Sequence, residues 1–524
     1  MTHFTPVVFA VAFAAIVVAI SALARRLPIP SPILQVGAGL LIGLLPGVAV
    51  PNLDPDIVFF VFLPPILFAA AFFTSLRDFK ANLRQIGWLA IGLVLVTTAA
   101  VAVTAHAFMP DLPWSVAVAL GAIISPPDSV AAAAIVSRLP VPARVITILE
   151  GESLVNDASA LVVYRAAIAA AVTGQFSAGA TVVRFFIDAG VGAMIGILVG
   201  WLCVRSLRWS KDALAETVLT LAAPYACWIL AEQLHVSAVL ACVAGGVYVR
   251  QHFSTAVGPV SRLQTNSVWK VLLFLLNGMI FLLLGMQFTE LVPRVPAAEL
   301  GSVLRTGLVI SVVAIVVRLA WVPLVTVLPR FLRRDARRNW PPLRWKAISL
   351  VAWTSMRGIV SLASALALPL VLGSGVAFPR RTELIVITMC AIMVTLVVQG
   401  LSLAPIIRYF NFTPEVTHLE EERLARLEAA RRGSEALDDL SHEPWADARD
   451  VEWLRAELKD RVRLREFHGG SPHVRRKLRA GMMREERRML VRLRNEGAIS
   501  DDVLRELELE LDLEAVRVGL GEAR

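Results

Sequence analysis

A carboxylate, an amide and a hydroxyl gathered within one or two helical turns can hold a small hard cation through oxygen atoms. The stretch EGESLVNDASALVVY, residues 150–164, carries such a set. Residues four apart share a helix face, so Ser153 falls over Asp157, while Glu152 and Asn156 form the adjacent stripe. Asp157 can hold the cation. Out of water it can instead hold a proton, because burial disfavours an uncompensated negative charge. A group that accepts either occupant but not both would couple the movements of the two. Asp128, in ISPPDSVAAAAI, is a second acid of the same kind, and Glu150, Arg165, Arg318 and Arg357 complete the ionisable residues in apolar surroundings. Glu152 is predicted to pair with Arg357, because a fixed charge beside such a site is best cancelled permanently.

The elements that must position these groups are membrane helices. Of 524 residues, 56% are hydrophobic, and long apolar runs follow one another to about residue 410. Many reach the roughly 20 residues needed to cross a bilayer's hydrocarbon core. Hydropathy predicts an all-α polytopic membrane protein with about thirteen transmembrane helices. Its predicted domains are a membrane domain, 1–410, and a charged cytoplasmic helical tail, 411–524. Pro126 and Pro127 remove two backbone donors beside Asp128 and bar regular helix there. The segment TSMRGIVSLASALALP, 354–369, carries a comparable interruption at Gly358, with several small hydroxyls. Two interrupted helices in opposite halves of a chain point to inverted repeats that cross at a substrate site, as in secondary transporters.

Loop charges predict the orientation. Arg25, Arg26, Arg77, Lys80, Arg84, Arg138 and the cluster Arg333, Arg334, Arg337 and Arg338 follow odd-numbered spans, whereas Asp54, Asp56, Asp111 and Glu290 lie in the other loops. The positive-inside rule then places the N-terminus outside and the tail in the cytoplasm of a bacterial inner membrane. The net charge of +9 is carried by these loops, so it implies no nucleic-acid partner. Cys203, Cys227, Cys242 and Cys390 stand singly in apolar stretches, as packing residues do. No resident cofactor is expected. In the tail, FHGGSP, 467–472, is predicted to be a turn between helical parts. Gly192, Gly196 and Gly200 offer a close helix approach, within the chain or between two copies. An intramembrane hydrolase using Ser153 or the two aspartates is a remote alternative, because Ser153 has no following Gly or positioned His and no GxGD motif is present.

In order and spacing, FLPPILFAAAF, SPPDSVAA, EGESLVNDASAL, FLLNGMIFLLLGMQ and MRGIVSLASALALP resemble the bacterial NhaP-like and animal sodium/proton exchangers, a family marked by Asn-Asp in its sixth helix. The resemblance covers about the first 410 residues, and LVRLRNEGAISDDVLRELELELDLEAV is similar to the tail of many bacterial members. It implies a homodimeric, non-enzymatic antiporter that exchanges a monovalent cation for protons, with a core that moves relative to a dimerisation domain. Asp157 would be the alternating carrier and Asn156 its stabilising neighbour. Asp128 and Ser153 would complete the sodium shell with Asp157, and Glu152 and Arg357 would form the structural ion pair. The Asn-Asp signature implies electroneutral exchange. Sodium, with lithium, is the cation so implied, and nothing in the sequence excludes potassium. Two departures stand out: Pro127 where many relatives have Thr, and Ala69 and Ala70 where some have a glutamate.

Overall fold

The computed structural model describes residues 5–27, 29–46, 50, 55–136, 139–174, 178–332, 345–372, 376–412, 416–466, 472–496 and parts of 503–515. Arg138, Asp54 and the basic cluster 333–338 lie outside the described residues.

Among the described residues, the first 412 form helices, apart from one isolated bridge between Val371 and Ala377. They are α1 (Thr5–Ala24), α2 (Ser31–Gly43), α3 (Pro55–Phe73), α4 (Leu76–Gly87), α5 (Val94–Phe108), α6 (Trp114–Ile124), α7 (Ser129–Val136) and α8 (Ala143–Thr173). There follow α9 (Ala178–Trp209), α10 (Ala213–Gln233), α11 (Ala238–Ala256), α12 (Pro259–Leu291), α13 (Ala297–Leu332), α14 (Trp345–Trp353), α15 (Ile359–Leu366) and α16 (Arg381–Phe410). Seven helical segments are long and apolar enough to cross a bilayer unaided, and four shorter apolar helices accompany them. With α4–α5, α6–α7 and α14–α15 each counted as one passage, the sixteen helices make thirteen passages. That agrees with the hydropathy reading. Large apolar side chains such as Phe186, Met194 and Trp201 stand exposed along these helices, as lipid-facing residues do.

The two predicted interruptions are present. The first broken helix stops at Ile124 and resumes at Ser129, on either side of the two prolines, whose missing N–H groups cannot continue the ladder. The second stops at Trp353 and resumes at Ile359, with Gly358 at the restart. The order long helix, broken helix, long helix therefore occurs twice: α4–α5, α6–α7, α8, and again α13, α14–α15, α16. A π turn over Trp88–Leu93 joins α4 to α5. Trp321 on α13 packs against Gly92 and donates its indole N–H to the Trp88 carbonyl at 3.2 Å, filling the irregularity.

Buried apolar side chains form two clusters. One gathers α5 to α8 with α13 to α16, around residues such as Leu120, Ile124, Leu350 and Ile387. The other gathers α3 with α9 to α12, around Phe68, Phe72, Cys242 and Trp269. All four cysteines are free thiols inside these helices.

The glycine spacing on α9 serves an internal contact. A Cβ at Gly192 or Gly196 would drive into the carbonyls of Ser237 and Ala241, and at Gly200 it would crowd Gly245 and Tyr248. Here α9 and α11 approach backbone to backbone. Gly196→Val is expected to cost about 2 kcal/mol, seen as a lower melting temperature of the purified protein in detergent.

The chain divides into two compact units, Met1–Pro414 and Glu415–Arg524. The second contains α17 (Val416–Leu440), α18 (Ala448–Glu466) and α19 (Pro472–Asn495). Arg455 on α18 meets Asp438 on α17 at 2.5 Å. The predicted turn at 467–472 lies, except for Pro472, outside the described residues.

Candidate cation site at the helix crossing

The two breaks meet. The Asp128 N–H donates to the Met356 carbonyl at 2.6 Å, so one interruption runs directly past the other. Any Cβ on Gly358 would occupy the space of the Asp128 carboxyl group, which is why the second break carries glycine there. Gly358→Ala should therefore push the crossing apart, and ion-driven transport is expected to fall by about tenfold or more while the protein still reaches the membrane.

Breaking two helices leaves unpaired carbonyls at the ends of α6 and α14, where helix dipoles concentrate negative charge. Arg357, buried to 1% exposure, meets that demand. Its guanidinium donates to the Ile124 carbonyl at 3.1 Å and to the Ser355 carbonyl and hydroxyl at 2.6 and 2.7 Å. Its backbone N–H donates to Thr395 Oγ1 on α16 at 3.2 Å.

The predicted Glu152–Arg357 pair is therefore corrected. Glu152 is held by Arg318 of α13, which grips both carboxylate oxygens, one at 2.8 Å. Arg318 also donates to the Val351 carbonyl at 3.2 and 3.1 Å. Each arginine goes to the acceptors nearest it: Arg357, inside the break, to the carbonyls that the break frees, and Arg318, on a neighbouring helix, to the acid.

Asn156 is fully buried and donates its side-chain amide to the Pro127 carbonyl at 2.9 Å. A carbonyl only accepts, so it must face the amide nitrogen. Asn156 thus ties α8 to the first break through its amide nitrogen, and among the described residues its buried Oδ1 has no hydrogen-bond partner. Pro127 contributes its carbonyl to this tie.

Asp157, Ser153 and Asp128 line a common cavity of about 40 Å³. That space suffices for an ion or one to three waters, since a single water needs roughly 10–15 Å³ on this measure. Of the four residues predicted to form the site, the structure brings these three together around the cavity and places Asn156 behind them. The opposite wall is α3, through Leu63, Ile66, Leu67 and Ala70, none of which offers a side-chain oxygen. That wall belongs with the second apolar cluster and the acids with the first. The cavity lies on the seam between the two.

Polar groups lie to either side of it along α8. Glu150 on α8 is half-buried and lies 3.4 Å from the Thr74 hydroxyl, one turn beyond Ala70. Along the second half of α8, a cavity of about 1440 Å³ reaches Ala158 and Leu161. Its charged lining includes Arg165, Arg184, Asp188 and Glu232, with His235 in the left-handed region at φ 55°. His106 donates a ring N–H to the Leu112 carbonyl, 2.9 Å away, and packs on Trp114.

Ser361, 1% exposed, also lines the small cavity. Sequence reasoning grouped it with the small hydroxyls of the second break. Its place in the first turn after Gly358 was the signal that could have singled it out.

A helical membrane bundle in which two broken helices cross beside a buried aspartate cavity is a secondary-transporter architecture. The chain belongs to the transmembrane sodium/hydrogen exchanger family, whose profile matches residues 11–409. An uncharacterised sodium/proton exchanger of Mycobacterium tuberculosis is 34% identical over 97% of this chain and 95% of its own length. A sodium, potassium, lithium and rubidium/proton antiporter of Bacillus pumilus is 33% identical over 72% of this chain and 57% of its own. The solved structure of a sodium/proton antiporter of Methanocaldococcus jannaschii shares the fold, with a TM-score of 0.62 at 18% identity, covering 79% of this chain and all of that one. The protein is thus a multi-pass membrane transporter of a sodium/proton exchanger family, and not an enzyme. The hydrolase alternative falls with that assignment.

Proposed function

We propose that the protein exchanges cytoplasmic sodium, or lithium, for external protons by alternating access at Asp157. The observation that carries this reading is the cation-sized cavity that holds Asp157, Asp128 and Ser153 on the seam between two apolar clusters. The permanent charges nearby are committed elsewhere: Glu152 to Arg318, and Arg357 to the carbonyl ends of the broken helices. Asp157 is then the acid of α8 that lines the cavity and can carry either a cation or a proton. A carboxyl group there can carry a cation or a proton, but not both. Movement of one cluster against the other would expose the cavity to either side in turn. Asn156, an amide, carries no titrating proton into the exchange, and the reading extends to one proton per cation and electroneutral exchange.

The reading extends to a homodimer in a bacterial inner membrane, with the N-terminus outside and Glu415–Arg524 in the cytoplasm. Sodium and protons are cargo, and no resident cofactor enters it. The name of the Bacillus pumilus relative includes potassium, which keeps potassium/proton exchange on the same fold as a second reading.

The test is dequenching of a pH-sensitive dye in acidified everted vesicles, adding sodium, lithium and potassium in turn. Dequenching on sodium and lithium at lower concentrations than on potassium is expected. A preference for potassium would favour the second reading, and no response to any cation would overturn both.

A further inference from the structure

Serines and threonines inside membrane helices usually satisfy their hydroxyls on a carbonyl one turn back. This protein follows that habit: Thr354, Thr388, Thr395, Ser159, Ser311 and Ser402 each donate to the carbonyl four residues earlier. Ser361 is an exception. Among the described residues its buried Oγ has no hydrogen-bond partner. The cause is its position. Helix α15 begins at Ile359, so the carbonyl that Ser361 would use belongs to Arg357, inside the break, where the helical path has not yet begun. An unmet buried hydroxyl costs about 1–3 kcal/mol unless something else meets it.

What Ser361 faces is the cavity of Asp157, Asp128 and Ser153. The α3 wall supplies no side-chain oxygen there, so a dehydrated cation must take its ligands from α8, from the first break and from α15. We infer that Ser361 Oγ is a neutral ligand to the transported monovalent cation, supplied by the second broken helix as Asp128 is by the first. The cation is then held between both breaks and α8. A hydroxyl oxygen binds a cation through its lone pairs without adding a charge to the cavity. This inference rests on the exchange reading above. It adds a ligand that the second broken helix brings to the cation.

The test uses the purified full-length protein in detergent, with thermal stabilisation by sodium, lithium and potassium chloride measured against choline chloride. Ser361→Ala, Ser361→Thr, Ser361→Val and Asp157→Asn are compared with wild type. Thr and Val have nearly the same volume and differ in the hydroxyl. The half-stabilising sodium concentration is expected to rise about tenfold in the Ala and Val variants and to stay within about threefold of wild type in the Thr variant. The three cations should shift by different factors, because a lost ligand matters most to the ion that fits best. If Ser361→Ala responds to each cation as wild type does, the inference is overturned while the exchange reading stands. Equal weakening in Thr and Val with a normal Ala variant would reveal a volume effect and overturn it as well. A wild-type protein indifferent to all three cations would remove the site, and the inference with it.

Discussion

Replacing Asp157 by asparagine is expected to abolish exchange, slowing cation-driven dequenching in everted vesicles by about a hundredfold or more. The substitution preserves shape and volume but removes the charge that makes a dehydrated cation tolerable in the cavity, a loss of roughly 3 kcal/mol or more of cation binding. It also removes the proton carrier, since an amide does not titrate in this range. Folding should survive. Asp157 takes no part in the buried ion pair or in the hydrogen bonds that tie the breaks together. A variant that reaches the membrane at wild-type levels, melts at least as high as wild type without sodium and transports nothing is the expected combination. Near-normal transport by Asp157→Asn would shift the carrier role to Asp128.

The second large effect is on stability. Arg318 and Glu152 are each 1% exposed and joined at both carboxylate oxygens, with Arg318 anchored to the Val351 carbonyl. Taking away one member leaves a charge buried without compensation, which costs about 3–5 kcal/mol. Arg318→Met alone, or Glu152→Gln alone, should sharply reduce the yield and melting temperature of folded protein. The double variant Glu152→Met with Arg318→Met should recover most of that loss, because two apolar side chains of similar bulk replace the pair without leaving a charge. Failure of the double variant to recover would mean that the pair orients α8 and α13 in a way that packing alone cannot supply. The same pair of measurements on Glu152 and Arg357 should show no comparable rescue, since Arg357 serves the carbonyls of Ile124 and Ser355.

Much of this architecture was legible in the residues. Apolar run length gave the thirteen passages, because a bilayer fixes how long a spanning helix must be. Pro126 and Pro127 marked one interruption directly, and Gly358 with its surrounding hydroxyls marked the other. Helical spacing placed Ser153 over Asp157, and the structure puts both on the cavity wall. What spacing along one helix could not reveal was which helix lies beside which. The choice between Arg318 and Arg357 as partner of Glu152 depends on the packing of α8 against α13 and α14, and the carbonyls freed by the breaks were not weighed as competitors for an arginine. The same gap explains Asn156. Its place before Asp157 marked it as a stabilising neighbour, but did not show that its amide nitrogen reaches a backbone carbonyl 29 residues earlier in sequence. The glycine row on α9 was equally ambiguous until α11 was seen against it.

The central claim is that one cation and the proton exclude each other at Asp157. It is tested most directly by adding sodium to purified, weakly buffered protein near neutral pH and recording the protons released, with sodium binding measured in the same samples. Sodium binding accompanied by proton release in wild type, with both lost in Asp157→Asn, is the result the account predicts. Sodium binding that releases no protons, or release that persists in Asp157→Asn, would contradict it.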